Sequence, residues 1–228
     1  MNFYKHLVSE TEAARQDLLS IPIIQAALQG QVDLDSYKAF LQEAYHHVKH
    51  TVHLLDATRK ALPPHHEWLI EPLNEYIEEE TGHEEWILDD IAACGGQRDS
   101  SARTKPGLAT EVMVAFAYDT IARGNPLGFF GMVYVLEGTS VALAIQAADR
   151  IQETLKLPNA AFSYLRSHGT LDLEHVDHFE LLMGQIEHPE DQSAIVQAAK
   201  AFYKLYGDVF RSLPKPNVGG TRLETLAC

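Results

Sequence analysis

His168, Asp172 and His175 stand four and three residues apart in His168-Gly-Thr-Leu-Asp172-Leu-Glu-His175. On an α-helix advancing about 100° per residue, Asp172 falls roughly 40° to one side of His168 and His175 about 20° to the other. Three metal-binding side chains then project from one face over two turns. Two imidazoles and a carboxylate suit iron, manganese or zinc, and that triad is a recurrent ligand set for non-haem iron. Glu174, Asp177, His178 and Glu180 crowd the same stretch, so these residues would equally serve a solvated polar face. Metal binding needs matching carboxylates on other helices.

A helical bundle builds such a site from ionisable side chains set within apolar stripes. Glu137 fits that test best, because its helical neighbours at three, four and seven are Val133, Tyr134, Val141 and Ala144. A carboxylate there loses hydration at a cost of several kcal/mol unless a cation or strong hydrogen bonds replace it. Glu43 shares a stripe with Ala39, Phe40, His47, His50 and Leu54. Glu80 lies among Leu73, Tyr76, Ile77 and Ile87, with His83 three residues on. Glu-x2-His is the pairing by which bundle helices supply ligands to two-metal carboxylate sites, although the acids around Glu80 would also suit water. Together Glu43, Glu80, His83, Glu137, His168, Asp172 and His175 supply four carboxylates and three imidazoles, enough for two divalent ions with positions left open. His47 and His50 would orient the carboxylates or move protons, and either would substitute for one of the seven. For a single ion, His168, Asp172 and His175 suffice. Tyr134, Phe130, Phe129 and Tyr76 are candidates to line a cavity there, with Tyr134 closest to the chemistry. His46, His53, His65 and His66 are expected at the surface or at helix ends.

The elements that position these residues read as helices, since apolar residues recur at three and four between sparse glycines and prolines. Helices are expected over about 3–19, 21–30, 34–62, 67–94, 107–123, 127–154, 159–167, 170–186 and 189–212. Asp33 offers an N-cap, Pro63-Pro64 and Gly95-Gly96 act as stops, and Gly169 separates two of the helices. The pattern predicts one all-α domain over 1–213 and an irregular tail over 214–228.

The 228 residues are enough for one filled core, and the charged fraction of 22% is ordinary for a globular protein. A net charge of −14 disfavours a nucleic-acid partner. No uninterrupted apolar run approaches membrane-spanning length and the first residues lack signal-peptide features, so no membrane partner is expected. Cys94 and Cys228 form no disulfide framework, which makes a cytoplasmic location the default.

Phe40-Leu-Gln-Glu43-Ala-Tyr45, the Gly124-Asn-Pro-Leu-Gly-Phe-Phe130 turn and Tyr134-Val-Leu-Glu137-Gly resemble the TenA and PqqC-like proteins of the haem-oxygenase-like fold. Within that superfamily, the His168, Asp172, His175 spacing is similar to that of haem-oxygenase-like di-iron oxidases. The resemblance implies an up-and-down helical bundle, a homodimer, and two irons per chain, with manganese or zinc as substitutes. It implies Glu43, Glu80, His83 and Glu137 as the remaining ligands, and dioxygen with a small organic molecule as substrates. Departures narrow the choice. Thiaminase-type relatives use a Cys on the long central helix, where this chain has none. Haem oxygenases use a His on the first helix, for which His6 is available, but an acid-rich interior is a poor haem pocket. Quinone-forming relatives need a cationic pocket, which 18 Lys plus Arg, few of them facing inward, do not supply. A metal-free TenA-like enzyme or binding module for an amine or pyrimidine is the alternative reading.

Overall fold

The structure, a computed structural model, describes residues 2–216, apart from the side chains of 170–175. Among the described residues every regular element is helical: α1 (Phe3–Leu19), α2 (Pro22–Leu28), α3 (Leu34–Val48), α4 (Thr51–Ala61), α5 (Ile70–Glu80), α6 (His83–Ala93), α7 (Arg98–Ala102), α8 (Leu108–Arg123), α9 (Phe129–Leu155), α10 (Ser163–Gly184) and α11 (Pro189–Ser212). Short 3-10 turns at Pro64–Leu69, Pro126–Gly128 and Asn159–Ala161 join several of them.

The bundle is organised around α9, which packs on α10, α11, α2 and α8. Pro126–Leu155 is long and apolar enough by composition to cross a membrane, although Glu137 interrupts its apolar run; 56% of its most apolar stretch is buried within the bundle. Its N-terminal half (Phe129, Phe130, Val135) joins a core shared with α1, α5, α8 and α11. Its C-terminal half (Ala144, Ala148, Ile151) joins a second core with α3 and α6. Glu137-Gly-Thr-Ser140 falls between the two, so the polar stretch of the central helix sits at a seam between apolar clusters.

Two expected long helices are interrupted, and both breaks position site residues. The 34–62 helix tightens after Val48, where His50 N–H bonds back to the His47 carbonyl at 3.1 Å before α4 begins. The 67–94 helix stops at Glu80 because Thr81 is extended and Gly82 takes φ +93°, a left-handed conformation that favours glycine. Gly169 does the reverse of what was expected. α10 runs through it without a break, and a Cβ there would meet Ile145 Cγ1 at 2.6 Å, so this glycine lets α10 approach α9. The polar 97–106 stretch contains the short helix α7. Asp90, fully buried on α6, accepts the backbone N–H groups of Ser163 (2.9 Å) and Tyr164 (3.0 Å), capping α10 from another helix.

Two glycines of α9 test this packing with opposite signs. A Cβ on Gly131 would lie 2.6 Å from the Ala199 backbone nitrogen, whereas nothing lies within 4 Å of one on Gly138. Gly131→Ala is therefore expected to destabilise by about 1–3 kcal/mol through overpacking. Gly138→Ala should stabilise by up to about 1 kcal/mol through helix propensity. Urea-denaturation midpoints of the two variants check both.

Candidate metal centre

A cavity of about 80 Å³ opens at the seam, lined by His47 of α3, Tyr76 and Glu80 of α5, Glu137 and Ser140 of α9, Tyr164 and His168 of α10 and Tyr206 of α11. The break at Thr81-Gly82 folds His83, the first residue of α6, back beside Glu80, with His83 Nδ1 3.1 Å from Glu80 Oε2. Glu80 and His83 are 8% and 4% exposed, so the pair is withdrawn from water. The His83 ring stacks on Trp86 at 4.0 Å and meets His168 edge-on at 4.9 Å. Candidate ligand atoms of Glu80, His83 and His168 all lie within 4.8 Å of one another.

His168 Nδ1 donates to the Tyr164 carbonyl at 3.1 Å. That bond fixes the tautomer and leaves Nε2 as the nitrogen with the lone pair, the form a metal needs. His47 is 2% exposed, and its Nδ1 has no hydrogen-bond partner. Burial, with His168, His50 and His46 nearby, pushes its pKa down to about 3, so the ring is neutral at physiological pH. Of Glu137, Oε2 is sealed from solvent. The structure thus brings together Glu80, His83, Glu137 and His168, and adds His47. Asp172 and His175 lie outside the described side chains, although α10 continues as a helix through both.

Glu43 is directed elsewhere. Both of its oxygens accept the Gly107 N–H at 3.1 Å and one accepts the Thr110 hydroxyl, so it caps the N-terminus of α8, where a carboxylate complements the helix dipole. His47, one turn further along the same face of α3, occupies the cavity wall instead. His50 points to Tyr118, its Nδ1 3.1 Å from the phenol oxygen. Tyr134 pairs with Thr11 at 3.2 Å within the apolar core, where Phe130 also packs, while Tyr76 and Phe129 do line the cavity. His53 and His65 are exposed as expected, but His46 and His66 are buried: His46 bonds the Thr104 hydroxyl at 2.9 Å and His66 bonds Asp191. Trp86 and the Tyr164 carbonyl, which orient His83 and His168, carried no signal in the sequence.

A second, more apolar chamber of about 100 Å³ shares Ser140, Tyr164, His168 and Tyr206 with the first. Its walls include Ile24, Leu28, Phe40, Leu143, Ala147 and Phe210. Across this common wall one chamber is rich in acids and imidazoles and the other in hydrocarbon.

The depressed pKa of His47 has a measurable sign. Between about pH 6.5 and 3 the unfolded chain binds a proton that the folded chain refuses, so stability falls as pH falls across that window. In chelator-treated protein, His47→Leu is expected to flatten the decline by up to about 1.4 kcal/mol per pH unit. Urea titrations at pH 4 to 7 check this.

The sequence matches the family model described as "iron-containing redox enzyme" over residues 38–207. No curated relative matches the sequence. Among solved structures, a domain of unknown function with a haem-oxygenase-like fold from Shewanella denitrificans superposes with a TM-score of 0.82 at 24% identity, covering 91% of this chain and 90% of that one. A TenA homologue from Pseudomonas syringae gives 0.78 at 11% identity, over 92% and 91% of the two chains. Haem oxygenase-1 from Synechocystis, solved with haem, gives 0.71 at 13% identity, over 92% and 91%. These likenesses establish the haem-oxygenase-like fold, and the family match establishes membership: this chain belongs to the iron-containing redox enzymes.

Proposed function

We propose that this chain is a non-haem iron oxidase or oxygenase that uses dioxygen to oxidise a small organic substrate with an apolar body. Its ligands would be His47, Glu80, His83, Glu137 and His168, together with Asp172 and His175, whose place in the set rests on their spacing alone. About two ions fit that number of donors. The observation that carries the reading is the convergence of Glu80, His83 and His168 beside a cavity that also holds His47 and Glu137.

The donor chemistry fits iron. Mixed imidazole and carboxylate sets suit iron, manganese and zinc, whereas magnesium and calcium favour oxygen alone. A buried neutral imidazole without a hydrogen-bond partner, and a second one with its Nε2 lone pair fixed, are the forms that coordinate. Haem fits less well, because His6 on α1 is exposed and the cavity walls carry carboxylates. A thiol nucleophile is also absent among the described residues: burial, with Asp90 nearby, pushes the Cys94 thiol up to about 11.

Iron, when bound, supplies the one-electron chemistry that dioxygen requires and that side chains lack. The chain's residues do the rest. Glu80 and Glu137 balance positive charge in a site of low polarity, and the Tyr164 carbonyl holds the His168 ring in place. Leu54, Leu55, Met132 and Leu136 exclude water from the acid-lined end. The apolar chamber takes the substrate's hydrocarbon part and leaves its reacting end near His168.

Anaerobic loading with Fe(II) followed by elemental analysis tests the ligand set. About two irons per chain are expected for the parent protein, and less than half of that for His168→Ala or Glu80→Gln. Glu43→Gln should keep its iron and lose stability instead. Full loading of both the His168 and Glu80 variants would refute the site. Ala147→Phe, which fills the apolar chamber, should leave iron loading unchanged. It should weaken binding of a fluorescent apolar probe such as anilinonaphthalene sulfonate by tenfold or more (roughly 1.4 kcal/mol).

A further inference from the structure

Away from that cavity, His65, His66 and Asp191 meet where the Pro64–Leu69 turn touches the start of α11, their candidate ligand atoms all within 4.8 Å of one another. His66 Nε2 lies 2.7 Å from Asp191 Oδ2, and Asn125 Nδ2 donates to the other oxygen at 2.6 Å. An ionised carboxylate only accepts, so Nε2 carries the proton and the lone pair lies on Nδ1. That Nδ1 has no hydrogen-bond partner, on a side chain 3% exposed. A carboxylate bonded to one ring nitrogen is the usual support for a histidine that coordinates through the other.

Two more imidazoles stand beside it. The ring centres of His65 and His66 are 4.3 Å apart, those of His65 and His188 4.9 Å, and those of His66 and His188 5.9 Å. Three imidazoles around a tetrahedral ion, with metal–nitrogen bonds of about 2.0–2.1 Å, place their ring centres roughly 5 Å apart. The observed spacings bracket that value. His65 and His188 are exposed, so an ion reaches the cluster from solvent without unfolding.

We propose that His65, His66 and His188 bind one divalent ion of the zinc class, with Asp191, itself held by Asn125, orienting His66. All-imidazole ligation selects zinc, cobalt, nickel or copper over magnesium and calcium. Three protein nitrogens leave a fourth position for water. The ion links the α4–α5 connection to the first turn of α11, and through Asn125 to the turn that begins α9. This site is independent of the iron centre, sharing no residue with it.

Cobalt(II) alone, added to the chelator-treated full chain, reads the site through the visible bands of tetrahedral cobalt. A Glu80→Gln/His168→Ala variant should still bind one cobalt with those bands. Adding His65→Ala/His188→Ala, both at exposed positions, to that variant, so that the iron centre is disabled in each, should abolish the bands and weaken cobalt binding about 100-fold or more. Zinc should raise the melting temperature of the first variant and not of the second. Undiminished bands after His65→Ala/His188→Ala is added, or their disappearance in Glu80→Gln/His168→Ala, would overturn the proposal.

Discussion

Placing the buried Glu80 and the half-buried Glu137 beside the imidazoles of His47, His83 and His168 is the constraint on which the rest of the structure turns. Each buried carboxylate costs several kcal/mol unless something positive or strongly hydrogen-bonding replaces its hydration. The His47 ring is held neutral by the same burial and so supplies no positive charge. In the function proposed above, a divalent ion bound among these groups would supply positive charge to the two carboxylates. Membership of the iron-containing redox enzymes points to iron as that ion.

The architecture concentrates polarity at one level of the bundle and pays for it with apolar packing on either side. α9 runs through two separate cores, and Glu137 and Ser140 face the gap between them. The left-handed Gly82 turns a single helix into two and sets His83 against Glu80. The tightened turn at Lys49-His50 ends α3 just past His47. Gly131 and Gly169 bring α11 and α10 close to α9 on either side of the two neighbouring chambers.

Much of this was legible in the sequence. Helical periodicity located most elements, and an acid within an apolar stripe identified Glu137 and Glu80 as residues that must be compensated. What periodicity could not resolve was the choice between neighbours on one face. Glu43 and His47 lie one turn apart on α3, and only the approach of the α8 N-terminus, which binds Glu43 through Gly107, decides which of them faces the cavity. The break at Gly82 is hidden for a related reason: a glycine is tolerated in a helix interior at a cost of about 1 kcal/mol, so the residue type alone does not reveal its φ of +93°. His66 read as a surface residue because its partners, Asp191 and Asn125, are distant in sequence.

Anomalous diffraction at the iron absorption edge, from crystals loaded anaerobically with Fe(II), tests the central claim most directly. The account predicts iron peaks within bonding distance of Glu80, His83 and His168, on the side facing Glu137 and His47. Well-ordered crystals with no iron there, or with iron bound only at His65, His66 and His188, would contradict it.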